Sequence, residues 1–284
     1  MSDQNKRVLL SVLAHPDDET FGMGGTLALY ARQGVEVHLI CATRGEVGEV
    51  DERFLRGFNS IGERREAELR CAAEKLGLTA VHFLNYRDSG MPGSPDNSHP
   101  DALAFADPEK VAAEVAHYIR MLKPQVVLTF DPIGGYRHPD HIAIHNATVK
   151  AFYAAADPAE YPDGLPGFQP DKLYFHVFPK FLLKMVVTLM PLIGKDPHKI
   201  GRNKDIDLAS IAKVSFPIHA RINYLPVAEI REEASACHES QGGVAMTKGF
   251  IASIRRRFTS FDSFMQAYPT CSTKKRTTDL FANY

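Results

Sequence analysis

Two apolar runs, Val8 to Leu13 and Val126 to Phe130, each break into a turn rich in histidine and aspartate that leads into a helical pattern. The first turn is Ala14-His15-Pro16-Asp17-Asp18-Glu19-Thr20, followed by Gly22-Met23-Gly24-Gly25. The second is Asp131-Pro132-Ile133-Gly134-Gly135-Tyr136-Arg137-His138-Pro139-Asp140-His141. A short apolar run closed by such a turn reads as a buried strand. In an open parallel sheet the carboxyl ends of strands face a shared crevice, where ligands bind. The pair of turns therefore asks for one sheet that brings two distant clusters together.

The rest of the chain supplies such a sheet. After strand Val8–Ala14 come a helix over Gly25–Gln33, a strand over Val35–Thr43, a helix over Ile61–Leu76 closed by Gly77, and a strand over Val81–Leu84. A long Pro-rich loop runs to Ala106, and loops of that length inside compact domains tend to carry function. A helix over Pro108–Leu122, strand Val126–Phe130, a helix over Asp140–Ala156 and a strand over Leu173–Phe178 follow. Strands alternating with helices predict parallel β-α units, joined by right-handed crossovers. The expected fold is α/β: a Rossmann-like, mostly parallel sheet with helices on both faces and a smaller C-terminal α+β portion. Residues 1–180 form the expected catalytic core. Residues 181–284 pack on it and shape the pocket, with a strand over Phe216–Tyr224, a helix over Val227–Ser240, and a polar, loosely held tail from Ser272.

Phe181 to Ile193 is strongly apolar yet shorter than the roughly 20 residues of a membrane span. It reads as a buried helix, a flap over the site or a surface that meets lipid, with membrane contact the lesser reading. The formal net charge is -1 over 284 residues, which offers nothing to nucleic acid or to an anionic surface. Cys41, Cys71, Cys237 and Cys271 form no C-x-x-C pair, so four free thiols and a cytoplasmic location are expected. No signal peptide is visible at Met1 to Arg7.

His15, Asp18 and His141 make a three-ligand N/O set, the count that catalytic zinc sites use while leaving a position open for water. Zn2+ is the expected cofactor, with another divalent transition metal such as Fe2+ as the alternative. Asp17 is free to act as base. His138 could protonate a leaving amine or stabilise an oxyanion, Asp140 could orient His138, and Tyr136 could donate to the oxyanion. His145, one turn after His141, reads as a packed histidine rather than a ligand. The sum is metal-assisted hydrolysis of a linear amide.

The two turns together resemble the PIG-L/LmbE family of zinc-dependent N-acetylglucosamine deacetylases. Arg65-Glu66-Ala67-Glu68 is similar to the family's Arg-x-x-Glu, and His238-Glu239-Ser240-Gln241 to its late His-x-Ser-Gln. Arg87-Asp88-Ser89-Gly90-Met91 and Gly134-Gly135-Tyr136 resemble the branch of the mycothiol-pathway deacetylase and mycothiol-conjugate amidase. The resemblance implies that His15, Asp18 and His141 hold zinc, that Asp17 is the general base, and that His138 is the acid or oxyanion-stabilising histidine. It further implies that Arg65 and Asp88 hold sugar or inositol hydroxyls and that Tyr136 is a mobile residue near the carbonyl. The substrate it implies is a small N-acetylglucosaminyl compound. Alternatives are an amidase that cleaves a larger N-acyl group, such as a thiol conjugate, and a metal-binding protein without turnover.

Overall fold

The computed structural model describes residues 6–200, 206–246, 256, 260–271 and 276–282. Seven strands form one sheet: β1 (Val8–Leu13), β2 (Glu36–Thr43), β3 (Ala80–Tyr86), β4 (Val126–Phe130), β5 (Lys172–His176), β6 (Ala220–Asn223) and β7 (Phe261–Tyr268). Their order is β3-β2-β1-β4-β5-β7-β6. Strands β1 to β5 pair in parallel, and β7 and β6 continue the sheet antiparallel. The helices are α1 (Asp18–Gly22), α2 (Gly24–Arg32), α3 (Ile61–Leu76), α4 (Pro108–Leu122), a kinked turn α5 (Gly134–Arg137), α6 (Pro139–Ala154), α7 (Lys180–Leu189), α8 (Leu208–Ile211) and α9 (Ala228–Cys237). One group, α4 with α6, and a second, α2 and α3 with α9, cover the two faces of the sheet.

The sequence dictates these elements locally. Every residue of β1 and β4 is buried, as parallel strands covered on both faces must be. Each large apolar side chain so buried contributes about 1.5–3 kcal/mol. In α3, the Ser60 side chain caps the Glu63 N–H at 3.1 Å, the Glu63 carboxylate reaches back to the Asn59 N–H, and Gly77 closes the helix at φ 75°. In α4, Asp107 caps the Glu109 N–H and Pro108 occupies the first turn.

The strand order reverses between β1 and β4. Leu9 to Ser11 of β1 lie beside Val126 to Leu128 of β4, so the turns that follow both strands meet at this switch point.

Three expectations are corrected. Cys71 on α3 and Cys237 at the end of α9 are joined as a disulfide, which leaves Cys41 and Cys271 as the free thiols. The tail is anchored where it is described. Leu280 is fully buried, its N–H is donated to the Tyr30 hydroxyl at 2.6 Å, and that hydroxyl is donated to Asp279 at 2.9 Å. Residues 272–275, 283 and 284 of the tail lie outside the described residues. The apolar run 181–193 is not a buried helix: Met185, Val186 and Leu189 of α7 and Leu192 and Ile193 of the following 3-10 turn are exposed. No helix among the described residues is long and apolar enough to cross a membrane.

Candidate metal centre and its cavity

After β1 the backbone turns sharply. Asp17 sits at φ 115°, a left-handed conformation that costs a non-glycine residue about 1–3 kcal/mol and is found where surrounding contacts enforce it. Three contacts do so. The Asp17 N–H is donated to Glu19 Oε2 at 3.0 Å, and Arg65 Nη2 binds both the Pro16 carbonyl at 2.7 Å and Asp17 Oδ2 at 3.0 Å. Arg65 approaches so closely that a side chain at Gly45, itself at φ 66°, would place its Cβ 1.9 Å from Nη1. After β4, Asp131 Oδ1 accepts the N–H groups of Ile133 and Gly135. The chain then enters α6 with His138 as its cap, the His138 Nδ1 accepting the Asp140 N–H at 3.2 Å.

These two turns bring His15, Asp18 and His141 together. His15 Nδ1 lies 3.2 Å from His141 Nε2 and 3.5 Å from Asp18 Oδ2, and Asp18 Oδ1 lies 3.3 Å from His141 Nε2. Ligand atoms 2.0–2.2 Å from a tetrahedral ion are roughly 3.3–3.6 Å apart, so this triangle fits one face of such a centre. The opposite nitrogens are held by the protein. His15 Nε2 faces Asp140 Oδ2 at 3.1 Å and Asp88 Oδ1 at 3.4 Å, and His141 Nδ1 donates to the Gly134 carbonyl at 3.2 Å. Each ring thereby presents its other nitrogen to the triangle, and a cation bound there takes the place of the His15 Nδ1 proton.

His15, His138 and His141 also approach one another within 4.8 Å, as do His15, Asp88, His138 and Asp140. In the second of these sets the Asp140 carboxylate is already engaged by Ser89 and His15. The His15–Asp18–His141 triangle has its ligand atoms 3.2 to 3.5 Å apart, with Asp18 Oδ2 also accepting the His15 N–H at 2.8 Å.

Charge supports a cation there. Burial alone would depress the His15 pKa, but Asp88, Asp140 and Asp18 outweigh it and hold it well above its ordinary value. Burial would raise Asp18, and His141 and His15 instead keep it well below the carboxylate range. His141 is pushed down by burial to about 4. Four carboxylates around three histidines and one arginine leave a negative surplus in a buried site.

A cavity of about 590 Å³ opens on this centre, lined by His15, Asp17, Arg65, Asp88, Tyr136, His138, Ser240 and Gln241, with Val47 to Glu49 and Gly90 to Ser94 along its rim. Its size suits a small ligand. Burial raises the Asp17 pKa to about 6 against the pull of Arg65. Burial and the neighbouring imidazoles His15 and His141 hold His138 well below its ordinary value, so its ring is neutral. With Nδ1 accepting the Asp140 N–H, the His138 proton resides on Nε2. The Tyr136 ring packs edge-on against His141 at 4.9 Å.

All of the predicted residues therefore gather here, with two changes of partner. The Asp140 carboxylate faces His15 and Ser89, not His138. Arg65 reaches the cavity, yet its guanidinium is engaged by Pro16, Asp17 and Gly45, with only Nε buried and unpartnered. His145 is packed, its Nδ1 on the Phe130 carbonyl at 2.8 Å.

Sequence reasoning assigned no role to Glu19 or Glu68. Glu19 is fully buried and pairs with His238. Glu68 binds the Ser240 N–H and hydroxyl at 2.9 and 2.7 Å. Their signal was their place inside the two motifs, directly after Asp17-Asp18 and three residues after Arg65.

Residues 10–152 match the PIG-L family, described as GlcNAc-PI de-N-acetylase. The chain is 39% identical over 255 residues to a 1D-myo-inositol 2-acetamido-2-deoxy-alpha-D-glucopyranoside deacetylase of Thermobifida fusca, covering 86% of each chain. A protein of the same description from Thermomonospora curvata is 43% identical over 265 residues, covering 89% of this chain and 86% of that one. In structure the chain is similar to an N,N'-diacetylchitobiose deacetylase of Pyrococcus horikoshii, with TM-score 0.62, 20% identity, and 93% and 84% of the two chains covered. It is similarly close to a 4-carboxy-2-hydroxymuconate hydratase of Pseudomonas putida, with TM-score 0.60, 18% identity, and 95% and 99% covered. A hydratase and a deacetylase on one fold mean that the fold alone does not choose the reaction.

Proposed function

The chain belongs to the PIG-L family of de-N-acetylases, a hydrolytic N-deacetylase acting on an amide bond, and from that premise we propose that it removes acetyl from a GlcNAc-inositol compound with zinc as its metal. The carrying observation is the triangle of His15 Nδ1, Asp18 and His141 Nε2, with Asp17 and His138 facing the same cavity. The substrate is that of the relatives, and Glu49, Asp88, Ser94, Ser240 and Gln241 along the cavity suit its hydroxyls.

His15, Asp18 and His141 would hold the ion, and nitrogen ligands beside one carboxylate suit zinc. Such an ion, when bound, polarises the amide carbonyl and acidifies water. The remaining work falls to the chain. Asp17, with a pKa of about 6, is ionised near neutrality and placed to take the proton of attacking water. Arg65 and Glu19 keep it aimed. His138, neutral and protonated on Nε2, suits donation to the developing oxyanion better than delivery of a proton as an imidazolium. Tyr136 lines the cavity beside His141 and His138 and offers a second donor. Proton return to the leaving amine falls to Asp17, which holds the proton taken from water.

The test is primary-amine release from GlcNAc-inositol and a panel of N-acetylglucosaminyl glycosides, using native protein and chelator-stripped protein given back zinc or Fe2+. Release from GlcNAc-inositol above the other glycosides, lost on stripping and restored best by zinc, is expected. Release from N-acyl thiol conjugates alone would overturn the substrate assignment, and metal bound without any turnover would overturn the enzymatic one.

A further inference from the structure

Six of the ten large apolar side chains most open to solvent among the described residues lie between positions 178 and 193: Phe178, Met185, Val186, Leu189, Leu192 and Ile193. Leu192 and Ile193 are the extreme cases, 79% and 70% exposed, on the 3-10 turn that Pro191 opens and Gly194 closes at φ 71°. From Met185 to Gly194 there is no charged residue, while Lys184, Lys195 and Lys199 flank the stretch and are exposed. None of these lysines is paired with a carboxylate among the described residues. Asp196 is the one acid between positions 183 and 200, and it accepts the His198 N–H.

We propose that α7 and the turn after it form a docking surface for an anionic phospholipid membrane, with Leu192 and Ile193 entering the acyl boundary and Lys184, Lys195 and Lys199 meeting lipid phosphates. An apolar protrusion with a cationic rim is the composition of a helix that lies in the interface rather than across it. Lysines beside an anionic leaflet each add to the attraction.

Two other occupants fit less well. A second copy of the chain meeting this face about a twofold axis would set the same lysines against each other. A lid role belongs to the other side of the helix. Leu183 and Val186 line an apolar cavity of about 390 Å³ that reaches Tyr136, whereas Leu189, Leu192 and Ile193 do not contribute to it.

Sedimentation with vesicles of phosphatidylcholine alone and with added phosphatidylglycerol tests the proposal. The intact protein should bind the anionic vesicles at least about tenfold more tightly than the neutral ones, and high salt should erase the difference. The variant L192E/I193E should lose vesicle binding while keeping its melting temperature and its amine release from a soluble glycoside. K184E/K195E should lose the preference for anionic lipid. Absence of binding to both vesicle types would overturn the proposal, as would undiminished binding by L192E/I193E. So would a dimer in sedimentation velocity that L192E/I193E dissolves while vesicles stay unbound, the second-copy outcome. Loss of soluble-substrate turnover in L192E/I193E alone would also overturn it, by making the turn part of the lid.

Discussion

His238 Nε2 lies 2.6 Å from Glu19 Oε1, and both side chains are wholly withdrawn from solvent. The other Glu19 oxygen accepts the N–H of Asp17. A histidine at the C-terminal end of α9 thus fixes the carboxylate that holds the left-handed backbone of the proposed base, and this gives the late His-x-Ser-Gln stretch a physical purpose.

Glu19→Gln and His238→Asn should therefore lower kcat by roughly 10- to 100-fold while moving KM less than threefold, because they misplace a proton acceptor rather than a binding group. Steady-state kinetics beside metal analysis checks this. A raised KM with unchanged kcat, or loss of bound metal, would assign the pair to another role.

Arg65 favours the ionised form of Asp17, and the reaction needs that form. The rate should fall as pH drops through the Asp17 pKa, about 6 in the intact protein. In Arg65→Gln burial loses its largest opponent, with His238 and His15 still pulling the other way, so the acid limb of kcat/KM should move to higher pH. A bound dication lowers the limb in both proteins alike, so the difference between the two profiles is the quantity to read. A limb that stays or moves downward would separate Arg65 from Asp17.

Asp140 holds the far nitrogen of His15. Asp140→Asn keeps the shape but weakens that acceptor, and it should reduce zinc affinity roughly 10- to 100-fold by chelator competition. Unchanged affinity would place the ion on a different nitrogen set.

Arg120 is buried and donates to the carbonyls of Ala154, Ala155, Asp157, Glu160 and Tyr161, gathering the chain end of α6 and the connector after it. Arg120→Met leaves those acceptors without their donor and should cost about 3 kcal/mol in denaturant unfolding, with little change in KM. A cost below about 1 kcal/mol would mean that water replaces the guanidinium.

The Cys71–Cys237 bond can be counted. Protein denatured without reductant should react as two thiols, and after reduction as four. Four before reduction would return α3 and α9 to packing alone.

The gathering of His15, Asp17, Asp18, His138, Asp140 and His141 was the most legible feature of the sequence because they lie within two short turns, each announced by an apolar strand, whereas Arg65 and Asp88 come from elsewhere. The limits of α3 and α4 were equally plain, since Gly77 closes the one and Pro108 opens the other. Strand β7 was not foreseen. Its Asp262, Ser263 and Gln266 are buried, which breaks the apolar pattern expected of an inner strand. Asp262 is satisfied by the N–H and hydroxyl of Thr26, 236 positions away. The roles of Arg120 and Glu19 were hidden for the same reason: buried polar groups depend on partners that no local pattern reveals. The tail looked loose because the residues that hold it, Tyr30 and Lys172, belong to distant elements.

His15 Nδ1 and His141 Nε2 nearly touch across 126 residues of chain. A cation joining them acts as a removable clasp on a loop of that length, and closing so long a loop is entropically costly for the unfolded chain. Whatever binds only the folded form stabilises it by mass action. If His15 and His141 hold the ion as proposed, the metal supply of the cell bears on how long each copy of the protein survives as well as on how fast it turns over, and a starved enzyme is exposed to unfolding at the same seam where β1 meets β4.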